Sequence, residues 1–99
     1  MINQFQETPI DALILLVKTA QSDSHQAHHA RRFLLGLYNA EQWPFELNRL
    51  RALDRRLQMA CFRVLELDAI TRERDIHEYL DNGGKIFSQL WEREAEQNA

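Results

Sequence analysis

The chain is poor in the residues that interrupt or staple a backbone. It holds one cysteine, two prolines and three glycines in 99 residues. A single thiol cannot close an internal disulfide, which excludes a secreted disulfide framework. So few turn-forming residues argue against a β-sandwich and leave helices as the default. The longest apolar run, Ala12 to Val17, is too short to cross a bilayer. The opening Met1-Ile2-Asn3-Gln4 has neither a basic nor an apolar leader region, so a cytoplasmic location is expected and no membrane partner. No HExxH occurs, no glycine-rich loop follows a strand, and no Ser/His/Asp or Cys/His set has readable spacing. The expectation is a protein that is not an enzyme and takes no cofactor.

What is present suits one small domain. Apolar residues make up 44% of the chain, enough for a single core. One helical domain is expected over 1–99, with 1–8 and 95–99 frayed. A core of this size gives modest stability, so a homodimer is an open option. The net charge of −3 is unevenly spread. Residues 25–74 carry nine arginines against six acids, while the segments on either side are acidic.

Helical periodicity runs through most of the sequence. Thr8, Pro9 and Asp11 form a cap, a first-turn proline and a dipole-matched acid, which predicts a helix over 9–21. Its buried face is expected at Ile10, Leu13, Ile14, Val17 and Ala20, with Leu16 on the flank. Ser24 is expected to cap a second helix over 25–41 that buries Ala27, Ala30, Leu34, Leu37 and Tyr38. Gly36 on its polar side predicts close approach of another backbone. Trp43, Phe45 and Leu47 are expected to plug one end of the core. Asn48 then caps a helix over 49–67, whose stripe is Leu50, Leu53, Leu57, Ala60, Cys61 and Val64. Asp75 and Glu78 form a capping box for a short helix over 76–81, which Asn82-Gly83-Gly84 should terminate. Ile86, Phe87, Leu90 and Trp91 mark a last helix over 85–95. Short links between such helices give an all-α, compact bundle of four to five helices around a single core.

Candidate functional residues lie mostly on the 49–67 segment. Met59 and Phe62 project away from its stripe beside Arg55, and Arg51 lies on the same outer side. Exposed aromatic and thioether groups among arginines match the composition of protein interfaces. These four residues are the expected contact surface for a protein partner with an acidic patch. The alternative is a nucleic-acid surface built from Arg31, Arg32, Arg49, Arg55, Arg56 and Arg63. It is not favoured, because the overall charge is acidic and the recognition-helix pattern is missing. A weaker alternative is a metal held by His25 and His29, one turn apart. Arg32 near the cluster repels a cation and no third ligand is readable, so His25, His28, His29 and Arg32 are expected on a solvated face. Cys61, on the stripe, reads as a small buried hydrophobe.

The run Ala30-Arg31-Arg32-Phe33-Leu34-Leu35-Gly36-Leu37-Tyr38-Asn39-Ala40-Glu41, then Pro44-Phe45-Glu46-Leu47, Leu50-Arg51-Ala52-Leu53-Asp54 and His77-Glu78-Tyr79-Leu80, resembles a group of small bacterial proteins of unknown function. These are carried on plasmids and integrative elements, and the resemblance covers roughly 25–93. It implies an accessory protein of a mobile element and transfers no catalytic residue. By analogy, such a protein acts as an inhibitor or adaptor on host machinery, in the manner of anti-defence and anti-CRISPR proteins.

Overall fold

Thr8 accepts a hydrogen bond from the Asp11 amide, Pro9 fills the first turn, and helix α1 runs over Pro9–Gln21. A computed structural model describes residues 7–98. The expected fraying of 1–6 and 99 lies outside the described residues. Three more α-helices follow: α2 (Ala27–Tyr38), α3 (Arg55–Leu65) and α4 (Gly83–Asn98). Between them lie a 3-10 segment, Leu47–Ala52, a π-helical turn, Glu66–Thr71, and a 3-10 turn, Ile76–Tyr79. No strand occurs among the described residues. The all-α bundle is therefore as the periodicity requires. Its Cα radius of gyration, 12.7 Å, is that of a compact chain of this length.

α1 packs against both α2 and α3, and α4 closes the far side of α2. Contact with two helices widens the buried arc of α1 and turns it toward Leu16. Ala12, Leu13, Leu16, Val17 and Ala20 are buried, whereas Ile14, expected inside, is exposed. On α2 the buried set is Ala27, Ala30, Arg31, Phe33, Leu34 and Leu35. Leu37 and Tyr38 are only half-buried. Ser24 does not cap this helix: its hydroxyl meets that of Ser22, and the N-cap residue Gln26 makes no side-chain cap bond. Gln26 instead clasps Asp54, accepting from its amide and donating to its carboxylate.

The expected single helix over 49–67 is broken. Asp54, not Asn48, is the cap: its carboxylate accepts from the Leu57 amide at 2.9 Å and starts α3. The residues before it form the 3-10 segment, which buries no side chain. Beyond α3 the backbone widens, and the Arg72 amide reaches the Leu67 carbonyl five residues back. The chain then leaves through Arg72 at φ 45°, in the left-handed region. Asp75 and Glu78 make the expected capping box, over a 3-10 turn rather than an α-helix.

The glycines behave differently from expectation. Gly83 and Gly84 open α4 instead of ending a helix. A Cβ on Gly83 would lie 1.7 Å from the His77 carbonyl oxygen, so only glycine lets the chain turn back there. Gly36 does mark a close approach, with the Trp43 carbonyl 3.1 Å from where its Cβ would stand. Trp43 is buried and Phe45 half-buried, as a plug should be, but Leu47 is 76% exposed. α4 continues through Asn98, into residues expected to fray, and Glu94 near its end is fully buried.

Candidate functional site

Two places in the fold carry chemistry beyond the core. The first is the outer face of α3. Arg55, Met59, Phe62 and Glu66 recur at steps of three and four, opposite the buried Leu57, Ala60, Cys61 and Val64. Phe62 is 45% exposed and Arg55 is exposed, while Met59 is half-buried. Leu65, one turn on, is exposed beside Phe62. Arg51 is exposed too, but stands on the separate 3-10 segment. The Gln58 amide donates to the Leu50 carbonyl at 2.9 Å and ties that segment to α3. Of the four expected contact residues, Arg55, Met59 and Phe62 share one face of α3, and Arg51 stands on a different element.

The arginines of the nucleic-acid alternative are not gathered into a stripe. Arg31 is 1% exposed. Its Nε donates to Glu94 Oε1 at 2.9 Å, its Nη1 to the Ala20 carbonyl, and its Nη2 to Gln97. Arg32 donates to Glu94 Oε2 at 2.7 Å and lies over the Trp43 ring. Arg56 pairs with Glu7, and Arg63 with Glu66 and the Glu7 carbonyl. Arg49 donates to Glu46. Most of this set is spent on intramolecular carboxylates and carbonyls.

The second place is the charged cluster between α2, α4 and the 3-10 segment. Glu94 is its centre, reached by Arg31, Arg32 and His28. Burial alone would raise its carboxyl, but hydrogen bonds from Arg32 and Arg31 outweigh that and hold it below its ordinary 4.5. His28 Nδ1 lies against Glu94 Oε2, close enough for an ion pair but off the line of a regular hydrogen bond. Its other nitrogen, Nε2, is 3.1 Å from Arg49 Nη1, which is also 3.2 Å from His29 Nδ1. A guanidinium only donates, so both of these nitrogens accept in this arrangement. Burial, with His28 and Arg49 alongside, lowers His29 below its ordinary 6.5. His28, His29 and Arg32 are therefore half-buried and engaged, not on the solvated face expected of them. His25 is exposed, and His29 Nδ1 is engaged by Arg49. Among the described residues no group of three or more His, Cys, Asp or Glu is placed to hold a metal ion.

Glu94 and Gln97 were not singled out from the sequence. A signal existed for Glu94: Phe87, Leu90 and Trp91 set the stripe of α4, and Glu94 occupies its next position. Arg31 sits in the same way between Ala27 and Leu34 on α2. Arg93 also escaped notice. It donates to the Gln21 and Ser22 carbonyls and to Asp23. With Arg31 on the Ala20 carbonyl, two cations cap the C-terminal end of α1, where the helix dipole favours them.

Cys61 is fully buried, and burial pushes its thiol up to about 12. It is expected to ignore a thiol reagent such as DTNB in the native protein at pH 8 and to react at once in guanidinium. Stoichiometric labelling of the folded protein would contradict this.

No helix of the described residues is long and apolar enough to cross a membrane. A family described as a family of unknown function, DUF7673, matches residues 10–95. No match is found among curated proteins or among solved structures. The chain belongs to the DUF7673 family.

Proposed function

We propose that this DUF7673 member is a non-enzymatic protein-interaction module that grips an acidic partner through the outward face of α3. The observation that carries this reading is Phe62, 45% exposed on a helix whose other face is core, with exposed Leu65 one turn on. An aromatic held at the surface by a rigid helix loses little entropy on docking and buries much apolar area. Arg55, on the same face, and Arg51, exposed on the neighbouring 3-10 segment, would select against basic partners while speeding encounter with acidic ones. The resemblance to proteins of bacterial mobile elements suits an inhibitor or adaptor working on host machinery in the cytoplasm. A protein is preferred to a nucleic acid because Arg31, Arg32, Arg49, Arg56 and Arg63 already hold intramolecular acceptors.

A photocrosslinking residue placed at Phe62 tests this in host cells. It should yield a discrete conjugate with one protein, which a probe at Gln89 on α4 does not yield. Combined Arg51→Glu and Arg55→Glu should weaken that conjugate by about tenfold, the effect of roughly 1.4 kcal/mol. Phe62→Asp should abolish binding, while changing stability by only about 0.5 kcal/mol, since the ring is at the surface. The same products from both probe positions, or a conjugate indifferent to the arginines, would remove this reading.

A further inference from the structure

The segment Leu47–Ala52 buries no side chain, yet it is held against the body at a defined place. Its attachments are few. Leu50 packs at the edge of the core, Gln58 reaches the Leu50 carbonyl, and Arg49 sits over α2. Arg49 is the only one of these that depends on protonation. Its Nη1 donates toward His28 Nε2 and His29 Nδ1 together, and its Nε holds Glu46 Oε1 at 2.8 Å. Both imidazoles must offer a lone pair for this to form.

We infer that the segment Leu47–Ala52 is a pH-gated strap, latched by Arg49 onto two accepting imidazole nitrogens and released when His29 takes a proton. Protonation converts an acceptor into a donor at the place where the guanidinium sits. It also sets a second positive charge about 3 Å from the first. Glu94 lies against His28 and favours a charge there, but around His29 burial, His28 and Arg49 outweigh it. On α2 the neighbours are His25, Arg31 and Arg32, and the two rings lie 5.2 Å apart. From the strap and the residue before it come Arg49 and Glu46. From α4 comes Glu94, already shared by Arg31 and Arg32. Arg93 and Asp23 border the cleft beside His28 but are paired with each other. Three arginines face two carboxylates before any proton arrives.

The direction follows from His29, whose folded value lies below its ordinary 6.5. The folded, latched state binds protons less readily than the open one. Latching is therefore complete above pH 6.5 and is lost as pH falls from there through the folded value. This is a local opening, distinct from unfolding of the core. It stands whether or not the outer face of α3 docks a partner.

Amide hydrogen exchange on the full chain, read by NMR at pH 7.5 and pH 5.5, tests the strap. Protection factors at Arg49 and Leu53, whose amides bond to Glu46 and Leu50, should fall by about tenfold at the lower pH. Those of Cys61 and Val64 in α3 should change far less. In a His28→Gln, His29→Asn variant, amide oxygens can replace the two accepting nitrogens without titrating, and protection should hold at both pH values. A His25→Asn control should keep the wild-type response. Should the double variant fail to fold, Arg49→Ala serves, with strap amides poorly protected at both values. Equal protection in the wild type at both pH values would overturn the strap. So would a parallel loss at Cys61 and Val64, or a persistent response in Arg49→Ala.

Discussion

Glu94→Ala is expected to destabilise the protein by about 3–5 kcal/mol, the cost of stranding a buried charge. The stranded charge is Arg31, 1% exposed, which would keep only the Ala20 carbonyl and Gln97 as acceptors. A domain of this size has roughly 5–15 kcal/mol in total, so the variant should be close to unfolded at 37 °C. Urea denaturation read by circular dichroism measures the loss. The double variant Arg31→Met, Glu94→Leu should recover most of it, because matched apolar side chains avoid the desolvation that a buried pair must repay. A loss below about 1 kcal/mol in Glu94→Ala would show that water enters the cluster freely. The carboxyl also sets an acid limit. Its folded value lies below the ordinary 4.5, so its contribution is complete above pH 4.5 and lost as pH falls through the folded value. Glu94→Gln should flatten that part of the stability curve.

Adjacent glycines should give opposite results. Gly83→Ala is expected to cost about 3 kcal/mol, at the upper end of overpacking penalties. The new methyl would lie 1.7 Å from the His77 carbonyl oxygen and 2.7 Å from its carbon, so backbone would have to move. At about 4–8 °C per kcal/mol, the melting temperature should drop by ~12–24 °C. Gly84→Ala meets nothing within 4 Å and should gain about 0.5 kcal/mol from better helix propensity. Thermal melts of the two variants side by side check both signs. Equal melting temperatures would mean that the turn between Tyr79 and α4 yields easily.

The same pair shows why the sequence misled at this turn. A double glycine after an asparagine reads as a helix stop, and Asn82 does adopt the left-handed region at φ 58°. The glycine requirement comes from a carbonyl six residues earlier, a contact that only the folded path creates. The break at Asp54 was hidden for a related reason. Leu50, Leu53 and Leu57 keep helical spacing across it, and both Asn48 and Asp54 are competent caps. What decides between them is Gln26 on α2, which holds the Asp54 amide and carboxylate. Local signals sufficed where partners were local, as with Thr8 and Asp11 and the Asp75–Glu78 box.

The candidate face was legible in part. Phe62 stands opposite the stripe, and the wheel alone places it outside. That Arg51 stands on another element could not be read, because it depends on the break at Asp54. The charged cluster was legible in principle. Arg31 and Glu94 each occupy a stripe position on an otherwise apolar face, and two such interruptions of opposite sign invite pairing. Their separation of 63 residues concealed it. Treating the histidines as a surface group followed from ignoring that neighbouring helix.

The cluster also fixes when the molecule can close during synthesis. Arg31 finds its acceptors 63 and 66 residues downstream, and the end of α1 is sealed by Arg93 from 71 and 72 residues away. A ribosome that has delivered α1, α2 and α3 has made most of the greasy interior but none of the carboxylate that neutralises it. Such a nascent chain stays open to chaperones and proteases until α4 emerges. Products of premature termination before residue 94 would lack the carboxylate that Arg31 and Arg32 share.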